Sequence, residues 1–180
     1  MRTIDNINNL NKADFLLIFG NVFEKTESVA LEAFKSKPFK DFDDIILKML
    51  NIYECYPKDK VLKILNLHPE LAVAKKLTSE SKSEQISAKL NECSNEEYEE
   101  FKKLNFEYKK KFKFPFIIAV KGKNKEEILN SFRQRITNNI NSEFEEAKKQ
   151  VKKIASLRLG EITCLLYTSP SPRDGLLSGM

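Results

Sequence analysis

The sequence predicts an all-α protein, a single globular helical-bundle domain over residues 1–161. Apolar residues recur every three or four positions along nearly all of that stretch, and Ser, Asn and Asp residues stand where helix N-caps belong. The one β-prone run, Phe114-Pro115-Phe116-Ile117-Ile118-Ala119-Val120, has no partner strand, and a lone strand leaves its backbone unpaired. A buried extended connector packed between helices is therefore expected there.

Taken in order, the first helix opens at Asn11, with Asp14 acidic in its first turn and Phe15, Ile18, Phe19, Val22 and Phe23 at helical spacing. A short segment from Val29 to Phe34 follows, and Lys37-Pro38 stops it. Asp41 opens a helix whose stripe is Phe42, Ile45, Ile46, Met49, Leu50 and Tyr53. Pro57 suits the first helical position ahead of Val61, Leu62, Ile64 and Leu65. His68-Pro69 then reads as a helix entrance, with Pro69 in the first turn. Ser81-x-x-Glu84 is a capping-box pattern before Ile86 and Leu90. Ser94-x-x-Glu97 is another, before Tyr98, Phe101, Leu104, Tyr108 and Phe112. Asn124 and Glu127 start a helix through Ile128, Leu129, Phe132 and Ile136. The last helix runs from about Ser142, with Phe144, Ala147, Val151, Ile154 and Ala155 on one face. From about Ile162 the Lys/Glu/Asn-rich composition and the helical period are both lost. The segment LYTSPSPRD looks like translated adapter or vector sequence, so residues 162–180 are expected to be a non-native disordered tail, a native disordered tail being the other reading.

Composition removes several function classes. Of 180 residues, 41% are hydrophobic and spread along the chain, which excludes wholesale disorder. No run approaches the roughly 20 apolar residues of a membrane span, and the N-terminus has no apolar run of signal-peptide length. A soluble intracellular protein is expected, without a membrane partner. Five glycines, none in a phosphate-cradling pattern, exclude the common nucleotide loops. One histidine excludes multi-His metal centres, and Cys55, Cys93 and Cys164 are too scattered for a disulfide framework or thiolate site. No cofactor or metal is expected.

Three places can carry chemistry. His68 is the chain's one imidazole; at a helix entrance it would sit near N–H groups that favour anions, although a lone His at a boundary is most often a packing or capping residue. Ser81, Glu84 and Gln85 either line a cavity or merely cap a helix. Arg158 lies fourteen residues after Phe144, on the apolar stripe of the last helix. It either caps the helix C-terminus or reaches toward an anion.

In order, LNLHPELA, SKSEQ, LNFEYKKKFKFPFIIAVKGK, SFRQRITN and EEAKKQVKKIASLRL resemble the 2-oxo-4-hydroxy-4-carboxy-5-ureidoimidazoline (OHCU) decarboxylases of uric acid degradation, over about residues 8 to 161. The resemblance implies an all-α, cofactor-free and commonly dimeric carboxy-lyase that converts the ureidoimidazoline to (S)-allantoin. It implies catalytic roles for His68 and Glu84, and substrate contacts from Pro69, Ser81, Gln85, the backbone of Phe116, Ile117 and Ile118, and Arg158. Arg133 and Arg135 lie close enough in sequence to compete with Arg158. One departure is Lys113, where the family often has glycine. A cytoplasmic or peroxisomal location is expected, with a homodimer as the assembly.

Two other readings exist. A net charge of +5 and lysine runs such as Lys109-Lys110-Lys111 fit a basic nucleic-acid binder, but the lysines near Lys148 alternate with Glu143, Glu145 and Glu146 as on a solvated helix face. No nucleic-acid motif accompanies them, so no nucleic-acid partner is expected. A catalytically silent helical interaction protein is opposed by the presence together of His68, Ser81, Glu84, Gln85 and Arg158.

Overall fold

The computed structural model describes residues 3–72 and 78–168. Among these it holds no strand and nine α-helices: α1 (Ile4–Asn8), α2 (Lys12–Phe19), α3 (Ser28–Lys35), α4 (Phe42–Glu54), α5 (Lys58–Leu67), α6 (Ser79–Ser87), α7 (Asn95–Phe112), α8 (Lys125–Arg135) and α9 (Ile140–Thr168). A 3₁₀ turn at Leu90–Glu92 lies between α6 and α7. The all-α class expected from the sequence holds. Contacts gather the chain into two compact units, one built from the N-terminal segment through Tyr56 with the chain from Ala155 on, the other from Pro57–Ile154.

In the first unit the caps form where the sequence places them. Asn11 accepts from the Asp14 N–H at 2.9 Å, and Asp41 from the Asp44 N–H at 2.7 Å. Helix α2 is shorter than its apolar spacing implies, stopping at Phe19. A Cβ on Gly20 would stand 2.4 Å from the Leu16 carbonyl oxygen, so only glycine closes this end. Val22 and Phe23 reach the core from the following turn instead of from the helix. Phe15 is the hub of that core, with ring centroids 4.7 Å from Phe19, 5.5 Å from Phe34 and 5.9 Å from Phe39. Helix α1 was not expected, because five residues are too few to show a helical period. It contributes buried Ile7.

The second unit is assembled around α7. Ser94 and Glu97 form the predicted capping box at its start, and Asn124 with Glu127 does the same for α8. Helix α7 ends on Lys113, whose φ of 67° is left-handed. That backbone explains why glycine is the natural occupant and why lysine there is strained. Tyr108, fully buried, centres the core, with Phe112, Phe114, Phe116 and Phe132 at 4.5 to 6.0 Å around it. Residues 114–120 form no secondary structure and all are buried, as expected of the connector.

Helix α9 opens at Asn139, whose side chain accepts from the Ser142 N–H at 2.9 Å. It runs to Thr168, so residues 162–168 are helical where the sequence pattern predicts that regular structure ends. That stretch contains no glycine or proline before Pro170, and nothing local stops the helix. The rest of the expected tail lies outside the described residues.

Candidate functional site

The single imidazole stands at a helix exit, not at the entrance the sequence implied. Helix α5 ends at Leu67, and His68 follows with ψ 140°. Pro69 dictates this, because its ring disfavours helical backbone in the residue before it. Pro69 and Glu70 are not helical, and Leu71 and Ala72 form a turn. Any helix beginning at residues 73–77 lies outside the described residues. His68 is buried, 8% exposed, and its Nδ1 sits 2.9 Å from the Ile64 carbonyl oxygen. A carbonyl oxygen only accepts, so Nδ1 carries a proton and Nε2 is the nitrogen that exchanges one.

The five residues from His68 to Ala72 are tied down from two helices. Gln85, buried on α6, spans the turn: its Oε1 accepts from the Ala72 N–H at 3.2 Å and its Nε2 donates to the Glu70 carbonyl at 3.3 Å. Asn105, buried on α7, donates from Nδ2 to the Leu71 carbonyl at 2.9 Å. Lys109, one turn on, pairs with the Glu70 carboxylate at 3.0 Å. These ties hold Ala72 at a φ of 53°, a left-handed conformation that costs alanine about 1 kcal/mol. The sequence missed Asn105. Its signal was a polar residue at the core-facing spacing of α7, between Phe101 and Tyr108.

Ser81 is no cap. Thr78 caps α6, accepting from the Ser81 N–H at 3.2 Å, and Ser81 lies a turn inside the helix with only 4% of its surface exposed. Of the two, only Ser81 has a glutamate three residues on, Thr78 having Ser81 there, yet Thr78 is the cap because it precedes the first helical residue. With the capping box gone, Ser81 and Gln85 share one buried face of α6, and half-buried Glu84 stands beside them. The structure thus joins Gln85 to the His68–Ala72 segment and aligns Ser81 and Glu84 with Gln85. A cavity of about 390 Å³ on α7, lined by Glu70, Lys102, Asn105, Phe106, Lys109 and Lys110, contains none of the sequence-predicted site residues in its lining.

The connector is held by a buried ion pair. Arg135 Nη1 donates to the Ile117 carbonyl at 2.8 Å, while its Nε and Nη2 donate to Glu143 Oε1 at 3.0 and 2.6 Å. Glu143, fully buried, also accepts from Asn138 Nδ2 at 2.8 Å and from the Tyr108 hydroxyl. Burial, and the carboxylate that accepts from its hydroxyl, push Tyr108 far above the ordinary phenol range. The sequence placed Glu143 on a solvated face, and the structure corrects this: the neighbouring charges mask its one inward position. Arg133 instead grips Glu100 at 2.7 and 2.8 Å on the surface.

In the other unit Arg158 is buried, 4% exposed, as its place on the apolar stripe requires. It does not cap α9, which continues ten residues past it. Its Nη1 lies 3.1 Å from the carboxylate of fully buried Glu24 and 3.4 and 3.5 Å from the Asn21 and Val22 carbonyls. Glu24, at a φ of 46°, was not anticipated as its partner.

Comparisons with known proteins agree with one another. The family model for OHCU decarboxylase matches residues 8–160. The chain is 35% identical over 159 residues to the 2-oxo-4-hydroxy-4-carboxy-5-ureidoimidazoline decarboxylase of Haloferax volcanii, covering 88% of this chain and 95% of the relative. It is 38% identical over 162 residues to a uric acid degradation bifunctional protein of Bacillus sp. (strain TB-90), where it spans 90% of its own length but only 32% of the relative's. Among solved structures it resembles an OHCU decarboxylase crystallised in the presence of (S)-allantoin, at a TM-score of 0.69 and 24% identity over 86% of this chain and 99% of that one.

Proposed function

Because the chain belongs to the OHCU decarboxylase family, we propose that it removes CO₂ from 2-oxo-4-hydroxy-4-carboxy-5-ureidoimidazoline to give (S)-allantoin in uric acid degradation. The observation that carries the reading is His68: the chain's one imidazole, buried, with its tautomer set by a backbone carbonyl, on a segment tied to α6 and α7. Such fixing is what an acid–base group needs to act on one face of a small molecule.

The substrate supplies its own electron sink. The carbon that bears the carboxylate adjoins a ring C=N bond. When the C–CO₂⁻ bond breaks, its electron pair passes toward that bond, and the ring carbon that takes up a proton becomes the product's stereocentre. The hydroxyl on the decarboxylating carbon gives up its proton to become the carbonyl. The nitrogen of the C=N bond takes up a proton as well, so overall one proton enters and CO₂ leaves. A protein doing this work binds an anion, holds the ring in one orientation and relays protons. His68 Nε2 serves the hydroxyl, and Glu84 orients the imidazole or takes part in proton delivery. Pro69 and Ser81 contact the substrate. Gln85 was expected to do the same; each end of its carboxamide already bonds backbone, so its first duty is to hold the His68–Ala72 segment. The family resemblance gives Arg158 the substrate's anionic or ureido groups; within its own unit it pairs with Glu24.

The connector supplies the remaining contacts. Among the described residues no hydrogen bond engages the backbone N–H or C=O of Phe116 or Ile118, although both residues are buried. Buried backbone groups need partners, and the amide edges of an imidazoline ring provide them. No cofactor takes part in this scheme. The enzyme acts as a homodimer, in cytoplasm or peroxisome, without nucleic-acid or membrane partners; no helix among the described residues is long and apolar enough to cross a membrane.

The test is His68→Asn, which fits the extended backbone before Pro69. Turnover falls by about a hundredfold or more if the imidazole acts in the chemical step, with the melting temperature kept. A folded His68→Asn variant that forms (S)-allantoin at the wild-type rate contradicts the assignment.

A further inference from the structure

The connector's two anchors sit on adjacent peptide units. Arg135 Nη1 takes the Ile117 carbonyl at 2.8 Å, and Gln150 Oε1 takes the Ala119 N–H at 2.9 Å. A trans peptide is planar, with its C=O and N–H directed oppositely. Fixing the Ile117 carbonyl toward Arg135 therefore turns the Ile118 N–H away from Arg135. Fixing the Ala119 N–H toward Gln150 likewise turns the Ile118 carbonyl away from Gln150. Neither of these Ile118 groups has a hydrogen-bond partner among the described residues, and Ile118 is 6% exposed.

Each anchor is itself held. Glu143 grips Arg135 through two guanidinium nitrogens and is gripped in turn by Tyr108 and Asn138. The guanidinium also lies 4.5 Å over the Phe116 ring, which stacks on Phe132 at 3.9 Å and 10°. Gln150 is steadied by donating to Glu146 at 2.7 Å.

We propose that Arg135 and Gln150 are the positioning residues that aim the Ile118 N–H and C=O, one donor and one acceptor on a single residue, at an amide edge of the substrate ring. This rests on the functional reading above and deepens it by naming what sets the ring's orientation. A donor–acceptor pair of this kind matches a –CO–NH– edge and rejects an analogue in which that edge is methylated on nitrogen. Neither side chain touches the substrate.

The test uses the full chain in three variants: Gln150→Leu, Arg135→Lys and, as a surface control, Arg133→Lys. KM and kcat are measured on freshly generated substrate, with melting temperatures alongside. The N–H and C=O of the amide edge are themselves neither made nor broken in the step, so losing their partners weakens ground state and transition state alike: KM rises about tenfold in Gln150→Leu and Arg135→Lys while kcat stays within about twofold. The Arg133 control leaves both constants unchanged. A merely structural role gives the opposite split, with kcat per mole of protein lowered in step with the folded fraction and KM unmoved, and that result overturns the proposal. Should Arg135→Lys fail to fold, half-buried Gln150 decides, and an unchanged KM there overturns it too. A wild-type chain with no turnover brings down the functional reading itself, whereas wild-type turnover with unmoved KM in the variants brings down only this inference.

Discussion

Replacing Gln85 by leucine removes the clamp on the His68–Ala72 segment while nearly keeping its volume. Two hydrogen bonds go, at 3.2 and 3.3 Å. At that length each contributes about 1 kcal/mol net, and the Ala72 N–H, left in a buried position, adds a desolvation cost of about 1–2 kcal/mol. The left-handed Ala72 is also freed to relax, which returns up to about 1 kcal/mol. The sum is a loss of about 2–4 kcal/mol, or a melting point lower by about 4–16 °C for a chain of this size. Thermal unfolding followed by far-UV circular dichroism reads the stability. The polarimetric growth of (S)-allantoin reads the chemistry, where a loosened His68 lowers kcat by about ten- to a hundredfold. Gln85→Glu sharpens the test: its carboxylate keeps the acceptor for Ala72 but opposes the Glu70 carbonyl until it takes a proton, so its activity relative to wild type improves as pH falls. A Gln85→Leu variant with wild-type melting point and kcat would show that the segment does not depend on this clamp.

Three further outcomes are expected. Lys113→Gly relieves a left-handed lysine at the end of α7 and, net of glycine's extra chain entropy, stabilises by about 0.5–1 kcal/mol, seen as a melting point about 1–4 °C higher. Burial, with the Glu32 carboxylate accepting from its hydroxyl, pushes Tyr56 up to about 12. The folded state thus holds this proton more tightly than the unfolded chain, so its stabilising contribution is complete below pH 10 and fades between pH 10 and about 12; Tyr56→Phe, compared by denaturant titration across that window, flattens the loss. Turnover survives exhaustive treatment with EDTA and dialysis, since the substrate carries its own electron sink; loss of activity restored by a divalent metal would contradict this.

Much of the architecture was legible because its signals are local. Asn11, Asp41, Ser94 and Asn124 each bond an N–H three residues on, and such caps are written in adjacent letters. The connector was legible for the opposite reason, since a lone apolar run has only burial open to it. What escaped was long-range. For Ser81 the sequence allows both a cap and a cavity-lining role, because S-x-x-E by itself does not show where the helix begins. His68 was assigned to an entrance because proline serves one helix as a start and another as a stop. Glu143 was hidden among surface glutamates, since the tie to Arg135, Tyr108 and Asn138 depends on the packing of three elements. The grouping of α9 with two different compact units has no local signal at all.

The most direct measurement of the central claim is made on the purified chain with substrate generated in place from urate by the preceding oxidation and hydrolysis steps. Decay of the ureidoimidazoline is followed by ultraviolet absorbance and the product by circular dichroism. The expected result is decay faster than the spontaneous reaction, in proportion to protein concentration, with release of CO₂ and accumulation of (S)-allantoin in enantiomeric excess. Decay at the spontaneous rate to racemic allantoin, from protein shown to be folded, would contradict it.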